Sequence, residues 1–129
     1  MTLQFEILPE RLAIVRLAPD SELPDWARGA FVTFSRTRQE LSVICAQQHV
    51  PAALVQERDR VAFGIVGVVP MTTIGLLAAL CGALATAGVP VFVVSTYDTD
   101  WLLVQHAHFA VARAALEALG HTFSGALPS

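Results

Sequence analysis

The stretch "RVAFGIVGVVPMTTIGLLAALCGALATAGVPVFVVSTYDTDWLLVQ", residues 60–105, decides the fold. It opens with a β-branched run of strand length, 60–69, that breaks at Pro70. Beyond the break, Leu77, Leu80, Cys81 and Leu84 recur at helical spacing. Thr72 or Thr73 is placed to cap this helix, and Gly88 to end it in the left-handed conformation. "VPVFVVSTY" then reads as a strand, "DTD" as a tight connection and "WLLVQ" as a second strand. Further on, Phe109, Ala112, Leu116 and Leu119 mark one face of a second helix that Gly120 ends, and "HTF" (121–123) can close as a short strand. The order is β-α-β-β-α-β, the split βαβ of ferredoxin-like folds.

Working back toward the N-terminus, the first half reads as an imperfect copy of this grammar. "FVTFSRTRQELSVI" (31–44) runs with "VFVVSTYDTDWLLV" (91–104) at an offset of sixty, which sets Ser35 on Ser95, Glu40 on Asp100 and Leu41 on Trp101. "RLAIVRL" (11–17) resembles "RVAFGIV" (60–66) at an offset of forty-nine. The reading is therefore α/β (α+β) with two repeats, 1–60 and 61–129, antiparallel sheets and helices to one face. In the first repeat the helices fall around "SELPDWAR" (21–28) and "PAALVQE" (51–57), both short. Strand 60–69 is claimed by both repeats, and "LQFEI" (3–7) is an alternative source of the missing edge strand.

Composition bounds the function. A chain of 129 residues fits one domain or two very small ones. At 54% hydrophobic and 15% charged, it either has little free surface or covers some of it with another subunit, which suggests a homodimer. A net charge of −3 argues against a nucleic-acid partner. No Asp, Glu, Lys or Arg occurs between Arg60 and Asp98, yet Pro70, Gly88 and Pro90 interrupt the stretch, and its helical piece is too short to span a membrane. "MTLQFEILPE" lacks the basic and apolar regions of a signal peptide. Cys45 and Cys81 lie in apolar runs and read as buried thiols in a reducing, cytoplasmic compartment.

The candidates for chemistry are few. His106 and His108 stand at the mouth of the last helix and His49 and His121 alone, without the partners a metal site needs. There is no GxSxG, no CxxC and no phosphate-cradling glycine loop, so neither catalysis nor a cofactor is expected. What remains is a loop, 70–73, feeding a helix start whose free N–H groups suit a carboxylate, near a strand end "STYDTD" whose hydroxyls and acids suit an ammonium or guanidinium. That polarity is the polarity of an amino acid. A capped helix beside an Asx-type turn is the plainer alternative.

The stretch "VVPMTTIGLLAALCGALATAGVPVFVVST" resembles the ACT-domain pattern through Gly75, Leu77, Leu84, Gly88 and Val91. It departs in the loop, where "MTTIG" stands for the Asp-x-Pro-Gly of many ACT domains. Ser95, Thr96, Tyr97 and Asp100, with Thr37, Glu40, Leu41 and Ser42 of the first copy, further resemble small bacterial tandem-ACT proteins related to the ACT repeats of the animal cytosolic arginine sensor. The resemblance implies a non-catalytic sensing module that binds an amino acid at an ACT–ACT interface and assembles in pairs. It also implies contacts from Thr73, Ile74 and Gly75 of the loop with Thr96, Tyr97 and Asp100, and it assigns Asp98 to the turn. A ligand-free assembly protein and a small hydrolase or transferase using the two aspartates are the competing readings.

Overall fold

The computed structural model describes residues 1–129. In chain order the elements are β1 (Gln4–Ile7), β2 (Leu12–Leu17), β3 (Thr33–Arg36), β4 (Leu41–Ala46), β5 (Gln56–Ile65), α1 (Leu76–Thr86), β6 (Phe92–Ser95), β7 (Asp100–Gln105), α2 (Phe109–Glu117) and β8 (Thr122–Ser124). The fold is mixed α+β. The chain divides into a C-terminal unit, Met1–Leu8 with Val61–Leu127, and an N-terminal unit, Pro9–Arg60 with Pro128–Ser129. Strand β5 changes character at the division. Gln56–Arg60 is mostly exposed and charged, whereas Val61–Ile65 is buried throughout.

In the C-terminal unit the strands run β8-β1-β5-β7-β6. Helix α1 buries Leu80 and Leu84, and α2 buries Phe109, Ala112 and Leu116, which follows the helical spacing of the sequence. Leu119 falls beyond α2 and is exposed. A cluster of Phe5, Phe63, Phe109 and Phe123 forms the aromatic centre of the core, with Phe5 edge-on to Phe63 at 5.4 Å. Each such side chain contributes about 1.5–3 kcal/mol by leaving water.

Two expectations change here. Residues 1–8 do not join the N-terminal repeat. Alternation in "QFEI" turns Phe5 and Ile7 inward, and β1 pairs antiparallel with β5 (Phe5↔Ile65, Ile7↔Phe63) and parallel with β8 (Phe5↔Phe123). It thus takes the place beside β5 that a closed βαββαβ would give its last strand, and β8 moves to the edge. The strand expected over 60–69 also ends early, at Ile65. Val66 N–H still bonds the Gln4 carbonyl, but Gly67 has φ 92° and turns the chain out of the sheet.

The N-terminal unit has strand order β3-β4-β2-β5, antiparallel throughout. That is the strand order of a ferredoxin-like fold without its helices. The helices expected around 21–28 and 51–57 are absent. Pro24 and Pro51 each accept a turn bond from three residues on, Ala27 N–H and Leu54 N–H. Trp26, Ala27 and Leu54 instead pack on the core formed by Ala13, Val15, Leu41, Val43, Cys45 and Val50. A register shift between Leu12 and Ile14 leaves Asp59 at φ 61°, where Arg11 Nη1 and Gln47 Nε2 donate to its carboxylate at 3.0 Å each. Both bonds hold the Asp59 carboxyl below the usual range.

The internal copy is real in structure but shifted by one residue from the sequence alignment. Thr33–Arg36 corresponds to Phe92–Ser95, and Leu41–Ala46 to Asp100–Gln105, an offset of fifty-nine. The hairpin closures agree, since Thr37 N–H bonds the Glu40 carbonyl and Thr96 N–H the Thr99 carbonyl, both at 2.9 Å. Glu40 therefore matches Thr99, and the counterpart of Asp100 is Leu41. The acidic pairing of Glu40 with Asp100 is lost.

Candidate functional site

The site lies wholly within the C-terminal unit. Between Ile65 and α1 the chain makes a ten-residue excursion, 66–75, and returns at Gly75, which precedes the helix at φ 82°, ψ −3°. An L-residue resists that conformation, so glycine is the natural choice. No side chain caps α1. Thr72 and Thr73 were the expected caps, but Thr73 N–H closes a turn to the Pro70 carbonyl instead. The first helical bond runs from Ala79 N–H to the Gly75 carbonyl, so the N–H groups of Leu76, Leu77 and Ala78 precede the intrahelical ladder.

Facing this helix start is the β6–β7 turn. Ser95 and Asp100 are directly opposed in the ladder, and Ser95 Oγ donates to Asp100 Oδ1 at 2.6 Å. Thr96 Oγ1 donates to the Thr99 carbonyl at 3.2 Å, and Thr99 Oγ1 to the Ile65 carbonyl at 2.9 Å. Val69 N–H bonds the Asp98 carbonyl at 2.7 Å, which ties the excursion to the turn. Between the two lies a cleft of about 450 Å³.

Thr73, Gly75, Thr96, Tyr97 and Asp100 all line this cleft. Ile74 does not. It is 96% exposed, and the helix-start positions on the cleft are Leu76, Leu77 and Ala78 in its stead. Tyr97 is 84% exposed and Met71 74%, so the rim is apolar and open to solvent. Asp100 is half-buried, whereas Asp98 is exposed and outside the lining. Ser95 and Thr99, whose hydroxyls belong to the "STYDTD" strand end, were not in the expected contact set but line the cleft as well. For Ser95 the signal was the four-residue turn, which places the residue before it opposite the residue after it.

The histidines occupy separate environments. His121 is buried and accepts Leu3 N–H at Nδ1 (3.0 Å), with its ring edge-on to Phe5. His106 and His108 form a short 3₁₀ turn before α2, and His108 Nδ1 is buried without a hydrogen-bond partner. No three His, Cys, Asp or Glu side chains gather as metal ligands, and no helix is long and apolar enough to cross a membrane.

Comparison with known proteins places these features in a family. Residues 55–118 match the model of the ACT domain, and residues 10–53 match a second model, described as an N-terminal domain. No curated protein matches the chain. Among solved structures, protein Atu0741 from Agobacterium tumefaciens is 30% identical, with a TM-score of 0.89 over 96% of this chain and 93% of that one. VC0802 from Vibrio cholerae, described as a possible transport protein, shares the fold at 18% identity (TM-score 0.71, 91% of this chain and 89% of that one). The regulatory subunit of aspartate kinase from Thermus flavus shares it at 14% identity (TM-score 0.63, 88% and 95%). The chain belongs to one family with Atu0741, and its residues 55–118 match the ACT domain.

Proposed function

We propose that this protein is a non-catalytic, cytoplasmic regulatory module that binds an amino acid in the cleft between the start of α1 and the β6–β7 turn. The observation that carries this reading is the opposition, across one cleft, of an uncapped helix start and the half-buried Asp100 carboxylate. Uncapped N–H groups and the positive end of the helix dipole suit an α-carboxylate. Asp100, with one oxygen held by Ser95, suits an ammonium. The shared fold with an aspartate kinase regulatory subunit and the likeness of the Ser95–Asp100 segment to arginine-sensor repeats support the same direction.

The exposed rim residues Met71 and Tyr97, with exposed Ile74 outside the cleft beside Gly75, are suited to cover by a second copy, so that the ligand sits at an ACT–ACT interface of a homodimer. A thermal-shift screen of the free amino acids tests the reading. A ligand at a hundred times its dissociation constant adds about 2.7 kcal/mol of stability. If no amino acid shifts the transition, the alternative of a ligand-free assembly protein takes its place.

A further inference from the structure

We infer that the cleft takes an α-amino acid whose side chain carries no charge, and that each chain holds one such molecule. The inference rests on the amino-acid reading above and narrows it. Thirteen residues line the cleft, and Asp100 is the one among them charged at neutral pH, since the lining has no Lys, Arg or His. One acid neutralises one cation. A basic amino acid brings two, and the lining offers its second cation no acid. An acidic amino acid brings a second carboxylate to a lining with no cationic side chain to meet it. Partly burying an unpaired charge is costly. An uncharged side chain leaves no such remainder, and Val69, Met71, Leu76 and Leu77 offer it an apolar wall.

The N-terminal unit supplies the contrast that fixes the number of sites. At the fifty-nine-residue offset, Arg36 stands where Ser95 stands and Leu41 where Asp100 stands. Leu41 is fully buried in its own core and offers no acid. The Arg36 guanidinium donates to the carbonyls of Pro19 and Ser21, so it spans from the hairpin to the loop that follows β2. That unit thus carries its own cation at this position and has lost the group that would hold a ligand's ammonium.

Calorimetric titration of the full chain with L-leucine, L-methionine, L-valine, L-phenylalanine, L-arginine and L-aspartate tests this. The expected result is that an uncharged member binds at one per chain and at least about tenfold tighter than arginine or aspartate, the scale of one charge-assisted hydrogen bond. Asp100→Asn, verified as folded by urea titration, should lower that binding by about ten- to a hundredfold. Arginine or aspartate binding as tightly as the uncharged set, or two molecules bound per chain, overturns the inference while amino-acid binding stands. Failure of all six overturns both.

Discussion

The six-membered ring of Trp101 occupies the place where a side chain on Gly64 would begin. A Cβ at residue 64 would meet Trp101 Cε3 at 2.5 Å. Strands β5 and β7 are neighbours, and the indole lies over β5 because nothing projects from that position. Gly64→Ala should therefore destabilise the protein by about 1–3 kcal/mol through overpacking. Equilibrium urea unfolding measures it, and an unchanged midpoint would show that the ring moves aside freely.

Acid should loosen the N-terminal strand. Burial, and secondarily the positive N-terminus, lower the His121 pKa from its ordinary 6.5. In the folded state the Nδ1 that accepts Leu3 N–H must carry no proton. With the folded value depressed, stability is intact above about pH 6.5. It falls as acid protonates the unfolded chain first, until the folded value is reached. Urea midpoints measured between pH 8 and 5 should decline over that window, and His121→Gln should flatten the decline.

Asp98 and Asp100 should respond differently to the same substitution. Asp98 holds Val69 through its backbone carbonyl, which asparagine retains, so Asp98→Asn should leave ligand affinity within about twofold, on the few-tenths scale of a surface change. Asp100→Asn removes the single carboxylate of the cleft. A calorimetric comparison in which Asp98→Asn is the more damaging change would reverse the assignment.

Arg36 should act as a strap on its own unit. Arg36→Ala removes the guanidinium bonds to the Pro19 and Ser21 carbonyls, and being exposed it should cost only about 0.5–1.5 kcal/mol. Hydrogen exchange should quicken across residues 18–24 while β4 stays protected. Equal protection in both proteins would mean that the loop holds without the strap.

Self-association should follow from the exposed rim. Sedimentation at high micromolar concentration should show a dimer of the 13.8 kDa chain, and Ile74→Asp should shift it toward monomer. A monomer at every concentration argues against the covered cleft.

Much of the C-terminal unit was legible because its signals are local. The spacing of Leu80 and Leu84, the stop at Gly88 and the two strands around "TYDT" each follow from neighbours in sequence. Placement of β1 was not, because alternation in "QFEI" states which side chains go inward but not which strand lies alongside. The absent helices of the N-terminal unit were expected by analogy with the second repeat, but at those places Pro24 and Pro51 favour turns and Trp26 and Leu54 pack on the core without a helix. At the site, matching Ser35 to Ser95 drew the copies one residue out of step. Turn closure by Thr37 and Thr96 sets the true register, and only backbone hydrogen bonds display it.

The position of β1 has a consequence for the order in which the molecule is made. Residues 9–60 leave the ribosome as an uninterrupted block that holds every strand of its own sheet, so they can close early. Residues 4–7 emerge before them yet have no partner until β5 is complete, and their second partner, β8, follows only after residue 122 has been made. Strand β1, made before every strand of that block, is thus flanked on both sides only after the block is complete. During that interval Phe5 and Ile7 are exposed on an unpaired segment, a target for chaperones. Because β1 and β8 run parallel, no tight turn could join them, and the pairing has to wait for the chain between them to fold.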